Sequence, residues 1–108
     1  KGFDWLILNS IKGKKIDKIE ISTHHFKGNY PSHCSLQAAY IPNNKSSHAV
    51  IKGSNKWEFL LDKVKLSSNK THKFKNNLMK HNKINFIKIN IFPDGGISRF
   101  KIFGKSIK

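Results

Sequence analysis

Between residues 84 and 103 the chain alternates so strictly that little except β-structure can use it. Over residues 84–92, Ile87, Ile89 and Ile91 fall on one face and Lys88 and Asn90 on the other. Over residues 97–103, Phe100 and Ile102 oppose Arg99 and Lys101. A period of two sends successive side chains to opposite faces of a pleated strand, so each segment predicts a half-buried strand. Residues 18–23, KIEIST, repeat the pattern, with Ile19 and Ile21 against Glu20 and Ser22. PDGG at residues 93–96 separates the two late segments. Its Pro fixes φ, its Asp caps a turn and its Gly pair accepts positive φ, which predicts a hairpin or a close corner.

Shorter runs complete the pattern. DWLIL at 4–8, CSLQAAY at 34–40, AVI at 49–51, WEFLL at 57–61 and HKF at 72–74 each read as a strand. Turn formers fill 42–48, and the Asn- and Lys-rich 75–83 reads as a loop or one helical turn. Seven or eight short strands without a convincing helix predict an all-β fold, an antiparallel β-sandwich or barrel. The 108 residues suit one domain, residues 1–108, with a single core. Fourteen Ile and eight Phe agree, because both residue types fit a pleated, half-buried surface.

Charge points elsewhere at first. The formal net charge is +15, a balance often associated with nucleic acid or anionic membranes. Yet every basic residue except Arg99 is Lys, and the lysines are spread along the whole chain. Base and phosphate recognition favour the planar fork of Arg, so the charge reads as a solvated surface, with no nucleic-acid partner expected. No apolar run is long enough for a membrane helix, and no signal-peptide pattern opens the chain. A single cysteine, Cys34, cannot form an internal disulfide. These features predict a reducing, cytoplasmic compartment and no membrane partner. The chain begins without Met, as part of something longer would.

Two stretches carry more chemistry than a turn requires. HHFKGNYP at 24–31 adds two imidazoles, an ammonium and two aromatic rings to the Gly, Asn and Pro that a turn needs. One reading is a surface loop plugged by Phe26 and Tyr30. The other is a binding loop on a rigid scaffold, with His25, Lys27 and Asn29 at one mouth of the sandwich and Gly28 allowing close backbone approach. Arg99 is the second anomaly, the one guanidinium in a lysine-rich chain. It predicts a geometric demand, either a carboxylate ligand or a buried ion pair. The six histidines show no metal-ligand spacing, so no metal site and no cofactor are expected. Cys34 reads as a buried, inert thiol.

With these residues in view, the sequence resembles the allantoicase repeat. The likeness runs through FDWLILNSIKGKKIDKIEISTHHFKGNYPSHCSLQAA, the WEFLL stretch, and INFIKINIFPDGGISRFKIFG. The early H-F-K-G-N-x-P and the late N-I-F-P-D-G-G-I-S-R are its most specific parts, and the Cys after the loop looks more like the second of the two repeats such enzymes carry. The resemblance implies a jelly-roll β-sandwich similar to galactose-binding domains. It also implies hydrolysis of allantoate to ureidoglycolate and urea, in purine breakdown, within a longer two-repeat protein or a homo-oligomer. Two departures stand out: Ser22 where the family usually has an acid, and Phe86 and Lys88 where it tends to place His and Arg.

Roles follow from what the resemblance implies. The carboxylate of allantoate suits Arg99, with Lys27 in support, and Asn29 suits a ureido carbonyl. Urea is a poor leaving group, so an acid must protonate it and a base must activate water; His25, Asp94 and Glu20 are the candidates. The alternatives are a non-catalytic module that binds a small ligand or carbohydrate on the same scaffold, and a polyanion binder resting on charge alone.

Overall fold

The strands form because apolar and polar residues alternate, and the computed structural model shows where each apolar face goes. It describes residues 4–8, 14–25, 28, 31–41, 47–81, 83–93 and 97–106. Seven strands appear in order: β1 (Asp4–Leu8), β2 (Lys14–Ser22), β3 (His33–Ala39), β4 (Glu58–Lys65), β5 (Thr71–Phe74), β6 (Phe86–Phe92) and β7 (Arg99–Ser106). They make two antiparallel sheets, β1-β6-β3-β4 and β5-β2-β7. Every connection except β3 to β4 passes from one sheet to the other. This interleaved, jelly-roll connectivity makes an antiparallel β-sandwich, as the alternation predicts. β6 and β7 lie in different sheets, so they do not form the hairpin offered as one reading of this stretch.

The core lies between the sheets. Ile16, Ile19 and Ile21 of β2 meet Cys34 and Leu36 of β3, Leu60 and Leu61 of β4, and Ile87 and Ile89 of β6. Each fully buried Ile or Leu contributes roughly 1.5–3 kcal/mol over an exposed one. Ile16 and Ile19 are three residues apart, an odd spacing that plain alternation would put on opposite faces. A register shift between Ile16 and Lys18, opposite β7, lets both face inward. Gly104 of β7 sits across from Ile16, where a Cβ would lie only 2.5 Å from the Lys15 carbonyl oxygen, so no larger residue fits.

One segment departs from the expected strands. Residues 49–51 belong to a helix, α1 (Ser47–Gly53), followed by a 3₁₀ turn over Ser54–Lys56. A seven-residue helix has too few hydrogen bonds to stand on propensity, so packing decides. Val50 and Ser54 are buried while Ile51, Lys52 and Gly53 are exposed, a spacing of four that suits a helix face and not a strand. The 3₁₀ turn covers the outer face of the four-stranded sheet. There Gln37 donates to the Asn55 and Trp57 carbonyls, and Lys88 donates to Ser54 Oγ at 3.0 Å. Asn90 ties Ser35 to Gln37 on the same face. Lys88 and Asn90 have the predicted outward phase, yet they are buried.

Candidate functional site

The outer face of the three-stranded sheet gathers the chemistry, and the ladder registers explain how. Ser22 of β2, the central strand, pairs with Thr71 of β5 on one side and Arg99 of β7 on the other. Ile21, His72 and Phe100 take the inward phase, so Thr71, Ser22 and Arg99 share the outward one and form a row across the sheet. Neighbouring strands are about 4.8 Å apart, so the row is compact. Just beyond it the chain turns at His24 and His25. An open cleft of about 420 Å³ results, lined by Ser22, His24, His25, Thr71, Ser98 and Arg99.

Hydrogen bonds centred on the buried Thr23 hold the turn over the row. Thr23 is fully buried; its hydroxyl donates to the Ser67 carbonyl at 2.6 Å and accepts the Lys70 N–H at 3.1 Å. Its own N–H donates to the Lys70 carbonyl at 2.8 Å. The next step is tight: His25 has φ of 73°, in the left-handed region, and its N–H donates to Asn69 Oδ1 at 3.1 Å. On the β7 side, the Ser98 N–H and hydroxyl both donate to the Ser22 carbonyl.

The predicted residues fare differently. Arg99 and His25 line one cleft, as a single site needs. Arg99 is exposed and forms no ion pair with any described residue, so the buried ion pair offered as its alternative is not what the structure shows. Glu20 lies on the same outward face, two residues before Ser22, but it does not line the cleft. Its carboxylate is held by Lys18 at 3.3 Å, and its register partners on both sides, Lys73 and Lys101, are lysines. Lys27, Asn29 and Asp94 lie outside the described residues.

Three lining residues have no counterpart in the sequence reading: His24, Thr71 and Ser98. His24 Nε2 lies 2.9 Å from Thr71 Oγ1, which lies 2.9 Å from Ser22 Oγ. An imidazole and two hydroxyls thus form one hydrogen-bonded chain beside the guanidinium. Alternation along 18–23 places Ser22 outward, but nothing in the sequence pairs it with Thr71, which lies 49 positions away. Two other histidines are structural. The Ser67 N–H donates to His72 Nε2 and His72 Nδ1–H donates to the Ile21 carbonyl; the Ile16 N–H donates to His81 Nε2 and His81 Nδ1–H donates to the Met79 carbonyl. Both rings are therefore neutral wedges between backbone groups.

The cleft thus presents one fixed cation, two imidazoles and three hydroxyls, with no carboxylate among its described lining residues. Such a set accepts a small oxyanion and can move protons around it. Among the described residues no three His, Cys, Asp or Glu gather into a metal cluster. By fold and site, this is a β-sandwich domain with an open cleft at the end of its three-stranded sheet, cationic and hydroxyl-rich in its described lining.

Comparison with known proteins makes the family definite. The model of the allantoicase repeat matches residues 1–107, and the chain belongs to the allantoicase family. A probable allantoicase of Acinetobacter baumannii (strain AYE) is 45% identical over 107 residues, covering 99% of this chain and 32% of the relative. Probable allantoicases of Acinetobacter baylyi and Stutzerimonas stutzeri are 42% and 40% identical, covering 98% and 99% of this chain and 31% and 32% of theirs. The crystal structure of allantoicase from Saccharomyces cerevisiae superposes with a TM-score of 0.86 at 25% identity, covering 99% of this chain and 34% of that one. A second allantoicase structure gives 0.86 at 27% identity with the same coverage. The chain therefore spans about a third of the length of the relatives it matches.

Proposed function

We propose that this domain binds allantoate in the cleft at the end of β2, β5 and β7 and takes part in its hydrolysis to ureidoglycolate and urea. The observation that carries the reading is the register pair Ser22–Arg99. It sets an exposed guanidinium, with no ion pair to a described residue, beside a hydroxyl–imidazole chain in one open cleft. Arg99 takes the carboxylate in fork geometry, and the hydroxyls of Ser22, Thr71 and Ser98 suit the ureido carbonyls and amides. On this reading Lys27 and Asn29 serve substrate binding, and Asp94 serves the proton transfer, as the family resemblance implies. The domain works as one repeat of a longer two-repeat enzyme or against another copy of itself, in the cytoplasm.

The second reading, a binding module without catalysis, has its own support: no described carboxylate lines the cleft, and Ser22 stands where the family's acid is expected. One experiment separates the two. Urea release from allantoate is measured for the purified chain, for Arg99→Ala and for Arg99→Lys, with folding followed by circular dichroism. Hydrolysis by the wild type, lost in a folded Arg99→Ala and only partly recovered in Arg99→Lys, is the expected result. Allantoate binding without urea release would favour the binding module. A folded Arg99→Ala with undiminished turnover would remove Arg99 from the site.

A further inference from the structure

We infer that His24, and not its neighbour His25, is the proton-transfer group of this cleft, and that Thr71 is its positioning residue. The inference rests on the proposed ureide hydrolysis and assigns a role within it.

The two imidazoles are adjacent in sequence but not equivalent in space. His24 Nε2 is fixed 2.9 Å from Thr71 Oγ1, and that hydroxyl is 2.9 Å from Ser22 Oγ. His25 is anchored through its backbone N–H to Asn69 Oδ1, and its ring makes no hydrogen bond to any described residue. A group that exchanges protons in a transition state must be held in place, and a fixed ring meets that need.

The chain of atoms also has two polarities. With His24 neutral at Nε2, the Thr71 hydroxyl donates to the ring and can accept from Ser22. With His24 protonated, Nε2–H donates to Thr71 Oγ1, and the Thr71 hydroxyl is free to turn to Ser22 Oγ. One proton taken up by the ring thus changes the donor and acceptor pattern at Ser22, in register with Arg99. The reaction needs such an exchange. One water gives its hydroxyl to the methine carbon, the bond from that carbon to a ureido nitrogen breaks, and the water's remaining proton ends on the departing nitrogen. A single imidazole can take that proton from water and return it to the leaving group.

The test compares His24→Gln, His25→Gln, Thr71→Val and Thr71→Ser in urea release between pH 5 and 8. It is joined by NMR titration of the imidazole resonances with and without allantoate. His24→Gln is expected to lose about 100-fold or more in turnover, the usual contribution of a general acid or base. His25→Gln should lose far less. Thr71→Val should displace the pH profile, and Thr71→Ser, which keeps the hydroxyl, should restore it. If His25→Gln is the variant that loses turnover and His24→Gln is not, the assignment is overturned while the proposed hydrolysis stands. If the wild-type chain releases no urea, hydrolysis by this domain alone fails and the resonances decide. Allantoate that moves the His24 titration and not that of His25 supports the assignment; a His24 titration unmoved by allantoate overturns it.

Discussion

Thr23 has no part in the chemistry, yet the cleft depends on it. Its hydroxyl satisfies a part-buried carbonyl and N–H of the segment 67–70, and so clamps the turn that carries His24 and His25. Thr23→Val keeps the shape and removes both bonds. Leaving buried polar groups unpaired costs about 1–3 kcal/mol, and denaturant unfolding should show a loss of that size. A loss below about 0.5 kcal/mol would mean that water replaces the hydroxyl there. At this scale the sequence was only partly legible. Arg99 stood out because one guanidinium among lysines marks a geometric demand. The contact of His24 with Thr71 did not, because Thr71 is brought alongside only by the β2–β5 register.

Strands β2, β6 and β7 could be read from alternation because each has a clear apolar face. α1 could not, because three apolar residues in a row fit either structure until the sheet beneath selects Val50 and Ser54. The same packing gives β6 an unusual polar face. Lys88 is buried under the 3₁₀ turn, donates to Ser54 Oγ and lies 4.9 Å over the Trp5 ring, with no ion pair to any described carboxylate. Burial lowers the pKa of its ammonium. The sign of the linkage follows. Between the lowered folded value and the ordinary lysine value, the unfolded chain holds a proton that the folded one has released. Stability therefore rises with pH across that window, and below it the penalty for burying the charge is constant. Lys88→Met removes the charge at similar volume and leaves Ser54 Oγ its bond to the Ile51 carbonyl. The expected result is a gain in stability at pH 7 and a flatter rise in stability toward alkaline pH, both read from thermal unfolding. Loss of stability instead would show that the ring and the hydroxyl outweigh the desolvation of the ammonium.

Over the whole molecule, charge and core keep apart. Three more lysines, Lys18, Lys63 and Lys83, lie over Phe103, Phe92 and Tyr40, so part of the positive charge sits on the faces of surface aromatic rings. At the centre, burial pushes the Cys34 thiol up to about 12, and the thiolate that reacts with disulfide reagents is suppressed near neutral pH. Cys34 is therefore a reporter of global opening. Its labelling should be slow in the native domain and should accelerate with denaturant along the unfolding curve. Fast labelling in native buffer would instead reveal local opening around β3. The order of the strands carries a consequence for biosynthesis. Because nearly every connection crosses between the layers, neither sheet is a stretch of chain that can mature by itself. The hydroxyl–imidazole chain is drawn from β2, the turn after it and β5, whereas the guanidinium arrives only with β7, the seventh strand. As the domain leaves the ribosome, the groups proposed to move protons are translated before the guanidinium proposed to anchor the anion. On that reading the cleft can hold a carboxylate only once the closing strand docks, and ligand affinity would be a late marker of completed folding.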